Sequence, residues 1–149
     1  MIEVATTPYK LPLKHVFTIA RGSTTVRDTL IVSLSAGVHT GYGEATANSY
    51  YKATIPELTA DIDRVRPIIE RFTFDLPDSL IDGLIPLLAD ELTDRPFALC
   101  ALDLAIHDLW GKLRGQPVWK LWGLNAANAP TSNYTIGIDT IPKMVEKAK

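Results

Sequence analysis

Three stretches in the first third of the chain are rich in β-branched residues, and turn-forming residues bound each of them. They cover residues 3–11, 29–35 and 40–46. Residues 36–39 join the last two tightly enough for an antiparallel hairpin, in which Gly37 can adopt a positive φ. We predict a meander of three antiparallel strands. The polar segment 17–25 is longer than a minimal connection between the first two strands, and such loops often carry function.

The middle of the chain has the periodicity of helices. Apolar residues recur at steps of three and four between Ile55 and Phe72, with Pro56 suited to the first turn. Pro67 is expected to bend or interrupt this helix, since proline lacks the amide hydrogen that the helix interior needs. A second, shorter helix is predicted over residues 79–92, with another proline inside it.

A third helix has the clearest boundaries. Asp94 is a plausible N-cap, Pro96 lies in the first turn, and Gly115 followed by Pro117 marks the end. Its predicted buried face consists mostly of small residues, namely Ala98, Ala101, Leu102, Ala105 and Leu109. Small side chains allow another backbone to approach closely, so we predict that this helix packs tightly.

The last quarter of the chain predicts a second unit. Residues 125–132 are small and polar, a composition typical of a connection between domains. Residues 134–138 predict a strand, and Asp139 or Thr140 can cap a helix that follows. We therefore predict a first domain over residues 1–124, a linker over 125–132, and over 133–149 the first β/α unit of an unfinished array. A closed eight-stranded β/α barrel needs about 250 residues.

Composition excludes several classes of function. The formal net charge of the 149 residues is -2, without a basic stripe, so nucleic acid is not an expected partner. No apolar run approaches the roughly 20 residues of a membrane span, and the N-terminus lacks the pattern of a signal peptide, which predicts a cytoplasmic protein. The single cysteine, Cys100, excludes an internal disulfide, and its apolar helical setting favours simple packing.

The polar residues of the chain do not form a recognisable catalytic pattern. Glu44 has no partner carboxylate at useful spacing, so we assign it to fixing a loop or an interface. Asp103 and Asp108 are five residues apart on one helix and point to different faces, which favours structural hydrogen bonds. The three histidines belong to separate predicted elements and indicate neither a triad nor a zinc site.

The order of a meander, a helical bundle and the opening of a β/α array resembles the enolase superfamily. Residues 41–45, Gly-Tyr-Gly-Glu-Ala, carry one part of the resemblance. The other part is the pattern Ala98-x-x-Ala101-x-Asp103-x-Ala105-x-x-Asp108-x-x-x-Lys112-x-x-Gly115-x-Pro117, followed by Leu121-Trp122-Gly123. Together they are similar to the N-terminal capping domain of the muconate-lactonizing subgroup. The resemblance implies an α+β fold, with the capping domain covering the mouth of a TIM barrel.

Two further motifs are most similar to dipeptide epimerases of the L-Ala-D/L-Glu type. They are Phe17-x-Ile19-x-Arg21-Gly22-Ser23 and Tyr134-Thr135-Ile136-Gly137. The resemblance implies a Mg²⁺-dependent 1,1-proton transfer, in which the proton α to a carboxylate is removed and returned. It places the lysine bases and the carboxylate metal ligands beyond Lys149, so we assign no catalytic or metal-binding residue to this chain. Lys147 and Lys149 repeat the spacing of the Lys-x-Lys motif, but their helical setting favours a solvated face.

The resemblance implies four substrate-binding candidates. Arg21, on the first long loop, is placed to pair with the side-chain carboxylate of an acidic dipeptide, although a solvated surface arginine is an equal alternative. Thr135 is expected at the end of the first barrel strand, where its hydroxyl would meet the substrate backbone. Tyr50 and Tyr51 are candidates for the wall of the pocket, and partly buried packing is the commoner role for such a pair.

Three functions remain open from the sequence. The first is the N-terminal part of a dipeptide epimerase, inactive by itself. The second is another enzyme of the subgroup, such as a muconate cycloisomerase, an o-succinylbenzoate synthase or an N-acylamino acid racemase. The third is a non-catalytic binding module. The expected partners are a small dipeptide and either identical subunits or a chain that supplies the rest of the barrel, because an unpaired strand at residues 134–138 favours association.

Overall fold

The computed structural model describes all residues from Met1 to Lys149. Three strands come first, and five α-helices follow. The elements are β1 (Glu3–Ile19), β2 (Gly22–Ala36), β3 (His39–Thr46), α1 (Ile55–Arg71), α2 (Ile85–Glu91), α3 (Pro96–Arg114), α4 (Val118–Leu121) and α5 (Ile141–Ala148). Short 3₁₀ turns cover Ser49–Tyr51 and Ala126–Asn128, and a π-helical turn covers Leu80–Leu84. No helix combines the length and the apolar composition of a membrane span.

The three strands form one antiparallel sheet in the order β1-β2-β3. Strand β3 pairs only with the second half of β2, from Thr29 to Ala36. Gly37 takes a φ of +60° in the turn between them, as predicted. The prediction of an α+β fold with a three-stranded meander is confirmed.

The hydrophobic core lies between one face of this sheet and the helices. From β2 it receives alternate residues, Leu30, Val32 and Leu34; from α1, Leu58, Ile62, Val65 and Ile69; and from α3, Ala98, Ala101, Leu102, Ala105, Ile106 and Leu109. These positions follow the periods of a strand and of helices, so the sequence pattern and the observed burial agree.

Helix α3 lies directly on β3, and two glycines make this contact possible. A Cβ atom at Gly43 would lie 1.9 Å from the carbonyl oxygen of Ala101, and one at Gly41 would lie 2.2 Å from that of Ala105. Any side chain on these glycines would therefore push the helix off the sheet. The close approach that the small residues of α3 predict is confirmed.

The predicted loop at residues 17–25 is wrong. Strands β1 and β2 continue as a two-stranded ribbon beyond the end of β3, and Ile19 pairs with Gly22 at its tip. Most side chains of the ribbon are exposed, so it lacks the apolar alternation by which strands are recognised in a sequence. Between Pro12 and Phe17 the pairing register shifts, because four residues of β1 lie opposite one residue of β2, and the ladder is irregular there.

The predicted strand over residues 134–138 is also not formed. A strand exists through pairing with a neighbour, and this segment makes only one backbone hydrogen bond to the sheet, from the Ile138 amide to the Thr18 carbonyl at 2.8 Å. The helix predicted after Asp139 is confirmed as α5.

Some smaller expectations about the helices are not met. Helix α1 continues through Pro67, so this proline does not interrupt it, and α3 has Arg95 rather than Asp94 at its N-cap. Cys100 is exposed, because α3 turns its small residues toward the core and position 100 toward solvent. The proline inside the second helix, Pro86, occupies the first turn of α2 directly after the π-helical turn, where its missing amide hydrogen costs little.

Candidate functional site

The tip of the β1–β2 ribbon presents Arg21 at its extreme end. Ala20 and Arg21 form the two-residue link between the paired residues Ile19 and Gly22. Gly22 takes a φ of +141°, a conformation that side chains rarely permit. The tip is therefore a narrow turn with the guanidinium on an exposed arm.

A second loop, residues 48–53, lies beside this tip. The side chain of Asn48 accepts a hydrogen bond from the Tyr50 amide at 3.1 Å, and its backbone pairs with Ala53 in both directions. Lys52 closes the loop in a left-handed conformation with a φ of +56°. These local bonds hold Tyr50 and Tyr51 outward, with 68% and 62% of their surfaces exposed.

The structure brings together Arg21, Tyr50 and Tyr51, three of the residues predicted to bind the substrate. The guanidinium carbon of Arg21 lies 4.6 Å from the centre of the Tyr50 ring, within the range of a cation–π contact. The Tyr50 and Tyr51 rings meet edge to face at 4.9 Å, and Tyr51 lies 5.6 Å from Phe97 in the first turn of α3. An aromatic chain thus connects the ribbon tip to the core helix.

The ribbon tip and the second loop enclose a cleft of about 330 Å³. Two arginines line it, Arg21 and the half-buried Arg27, together with hydroxyl and amide side chains, and no aspartate or glutamate is among its lining residues. A cleft lined by charges of one sign concentrates potential and attracts ions of the opposite sign. This arrangement suits an anionic ligand.

Arg27 was missed in the sequence analysis. It belongs to a segment that predicted neither strand nor loop, between the polar tip and the buried Thr29. The sequence offers one signal for Arg27. It lies two residues before Thr29, so in a strand the two side chains are on the same face.

Thr135 does not line the cleft. It is exposed, and the segment that carries it lies along the ribbon, where a Cβ atom at Gly137 would be 3.2 Å from the Phe17 ring. The structure brings three of the four nominated residues together and leaves Thr135 outside the cleft.

Asp139 anchors the start of α5. Its side chain accepts a hydrogen bond from the Thr140 amide at 2.8 Å and lies 3.5 Å from the Lys143 ammonium and 3.8 Å from that of Lys147. The amide hydrogen bond, assisted by the lysines, lowers the pKa of Asp139 below its usual value of 3.8. Lys147 thus lies on a helix and pairs with Asp139.

The other carboxylates that the sequence singled out have structural partners. Glu44 accepts hydrogen bonds from the hydroxyls of Thr29 at 2.6 Å and Thr46 at 3.2 Å, which ties β3 to β2. Asp108 accepts the Tyr42 amide at 2.8 Å and the Lys112 ammonium at 2.6 Å. These bonds confirm the structural roles given to Glu44 and Asp108.

Side chains that could hold Mg²⁺ do not converge in this chain. No three histidine, cysteine, aspartate or glutamate residues lie close enough together to bind a metal ion. Mg²⁺ in proteins takes carboxylate oxygens in near-octahedral geometry. The residues present do not fit the metal that the resemblance implies, and we derive no chemical step of this chain through it.

The chain is similar to known proteins over nearly its whole length. Residues 1–123 match the family described as the mandelate racemase / muconate lactonizing enzyme, N-terminal domain. An L-Ala-D/L-amino acid epimerase of Maribacter sp. is 45% identical over 99% of this chain and 42% of its own length. An L-Ala-D/L-Glu epimerase of Bacteroides thetaiotaomicron is 38% identical over 95% of this chain and 36% of its own length.

Solved structures agree with these relatives. A dipeptide epimerase from Methylococcus capsulatus, complexed with Mg and L-Arg-D-Lys, superposes with a TM-score of 0.82 and 27% identity, over 99% of this chain and 41% of that one. A dipeptide epimerase from Enterococcus faecalis, complexed with Mg and L-Leu-L-Tyr, superposes with a TM-score of 0.77 and 26% identity, over 99% of this chain and 41% of that one. The chain thus spans about two fifths of the length of the relatives it matches.

Proposed function

Because this chain belongs to the mandelate racemase / muconate lactonizing enzyme family, we propose that it is the N-terminal part of a Mg²⁺-dependent dipeptide epimerase. Such an enzyme removes the proton α to the carboxylate of a dipeptide and returns it on either face. The relatives whose names state this activity support the proposal, and so does the cleft of Arg21, Tyr50 and Tyr51.

The observation that carries the proposal is the position of Arg21. Its guanidinium lies over the Tyr50 ring at the edge of a cleft that has no carboxylate of its own. A guanidinium offers paired N–H donors that match a carboxylate, and the ring beneath it restricts its orientation. We propose that Arg21 binds the side-chain carboxylate of an acidic residue in the substrate, while the tyrosines shield it from water.

The bond-breaking step needs groups that this chain does not present. A proton α to a carboxylate is very weakly acidic, so its removal needs a positioned base and stabilisation of the enolate charge, which a divalent metal ion supplies when bound. We place the lysine bases and the metal ligands in the part of the full-length protein that matches the remaining three fifths of the relatives. The role of this chain is to bind the distal end of the substrate and to exclude water.

We also propose that residues 133–149 form the first β/α unit of the barrel, joined to the capping domain by the linker 125–132. Apolar side chains on this segment are exposed, which supports a covering layer in the full-length protein. They are Tyr134 (71%), Ile138 (57%), Ile141 (73%) and Val145 (49%). In that setting Thr135 would lie at the end of the first barrel strand and contact the substrate. A homo-oligomeric state and a cytoplasmic location stay predictions for the full-length protein.

The proposal is tested by proton exchange. The full-length protein with Mg²⁺ should exchange the α-hydrogen of the second residue of L-Ala-L-Glu for deuterium in D₂O, as followed by NMR, and should form the L,D epimer. Arg21→Gln should raise the KM for this dipeptide about 10- to 100-fold, the range for losing hydrogen bonds to a charged group. Lack of exchange on L-Ala-L-Glu and on a panel of other dipeptides would refute the epimerase assignment.

A further inference from the structure

We infer that Arg27 is a second specificity-determining residue, which binds the same anionic side chain of the substrate as Arg21. The inference rests on the proposed epimerase function and adds to it a residue and a substrate class. It assigns to the cleft a dipeptide whose second residue carries a carboxylate, as glutamate and aspartate do.

The first support is that Arg27 has no partner in this structure. It is half-buried, yet it forms no ion pair and no side-chain hydrogen bond with any other residue. A partly desolvated guanidinium loses hydration and is usually compensated by an acceptor. The missing acceptor must come from outside these residues.

The carboxylates of the same part of the sheet are already engaged. Asp28, the next residue along β2, points to the opposite face and pairs with Lys10 at 3.8 Å. Glu44 accepts the hydroxyls of Thr29 and Thr46. Neither carboxylate approaches Arg27 within ion-pair distance.

The second support is the shared cleft. Arg27 comes from the body of the ribbon and Arg21 from its tip, and both line the same 330 Å³ space without a lining carboxylate. Two positive charges that face one space repel each other, and an anion bound between them offsets this repulsion. A single carboxylate has two oxygens and about four acceptor sites, enough for two guanidinium groups.

The test compares two dipeptides of nearly equal shape in the full-length protein with Mg²⁺. L-Ala-L-Glu carries the carboxylate, and L-Ala-L-Gln replaces it with a neutral amide. Arg27→Gln should raise the KM for L-Ala-L-Glu about 10- to 100-fold, whereas kcat/KM for L-Ala-L-Gln should stay within about threefold. Arg71→Gln makes the same change at an exposed arginine at the end of α1, outside the cleft, and should leave both dipeptides unaffected.

Arg27→Lys keeps the charge but loses the paired donors, so its preference for L-Ala-L-Glu should fall between those of the wild type and Arg27→Gln. If Arg27→Gln does not fold, this variant decides by the same ratio. An equal loss for both dipeptides in either folded variant overturns the inference, since the effect of Arg27 then does not depend on the carboxylate of the substrate. A wild type that exchanges neither dipeptide nor any other overturns the proposed function itself.

A double variant tests whether the two arginines share one carboxylate. If they do, Arg21→Gln and Arg27→Gln together should reduce kcat/KM for L-Ala-L-Glu by less than the product of the two single reductions. A reduction equal to that product shows independent action and overturns the shared carboxylate.

Discussion

The contact between β3 and α3 predicts a large effect from the smallest substitution possible there, Gly43→Ala. The added Cβ atom would lie 1.9 Å from the carbonyl oxygen of Ala101 and 2.8 Å from the amide nitrogen of Ala105, whereas real contacts essentially never fall below 3.0 Å. Both obstacles are backbone atoms of a helix, so rotation of a side chain cannot relieve them. The helix must retreat by about 1.1 Å, the difference between 1.9 and 3.0 Å.

The cost follows from what α3 buries. Leu102, Ile106 and Leu109 are fully buried, and burial of each stabilises the fold by about 1.5–3 kcal/mol. A radial gap of about 0.5–1 Å forfeits a quarter to a half of the dispersion attraction. We expect Gly43→Ala to lower the free energy of unfolding by about 2–3 kcal/mol, at the upper end of the range for overpacked sites.

Urea unfolding followed by far-UV circular dichroism measures this change. Gly83→Ala is the matched control, because the nearest atom to its Cβ is the tip of the Phe72 ring at 3.1 Å, which can move. The control should change stability by no more than about 1 kcal/mol, the helix propensity difference between the two residues. A Gly43→Ala variant within about 0.5 kcal/mol of the wild type would refute the argument that backbone contact requires the glycine.

Three further changes probe the scaffold. Thr54→Ala removes the hydroxyl hydrogen bond, the largest of the contributions that lower the pKa of Glu57, and keeps the bond from the Thr54 backbone amide, so that pKa should move part of the way back toward 4.5 in an NMR titration; an unchanged value would contradict the assignment. Because folding lowers the pKa of Glu57, its stabilisation is present above pH 4.5 and is lost as the pH falls through the lowered value, and the variant should show less of this acid sensitivity. Asp108→Ala should cost about 1–3 kcal/mol in urea unfolding by removing the acceptor of the Tyr42 amide, and Asp108→Asn less; equal losses would argue against that bond. Leu102→Ala should cost about 2–5 kcal/mol in the same assay, and a much smaller loss would show that its site is not tightly packed.

The parts of the fold that bury apolar side chains could be predicted from the sequence. Leu58, Ile62, Val65 and Ile69 recur at helical spacing because one face of α1 packs on the sheet, and the periodicity records that packing. Gly115 ends α3 with a φ of +63°, as its position before a proline predicted. In these places local preference and burial favour the same structure.

The site was only partly predictable, because its residues bury little. The β1–β2 ribbon is held by pairing between strands rather than by a core, and such pairing leaves no apolar period in either strand. Arg21, Tyr50 and Tyr51 were named from a resemblance, and their meeting depends on where the ribbon tip ends. Arg27 belongs to no recognisable sequence motif. Only its partial burial and its place in the lining of the cleft indicate a role in binding.

The two halves of the domain therefore differ in what holds them. The base of the sheet is fixed against α3 by backbone contact at Gly41 and Gly43. The ribbon near its tip is held instead by the Arg21–Tyr50 contact and by the hydrogen bond from the Ile138 amide to the Thr18 carbonyl. Local opening is cheapest where few apolar contacts are lost. Opening of the tip would remove few apolar contacts, because no tip residue belongs to the buried core.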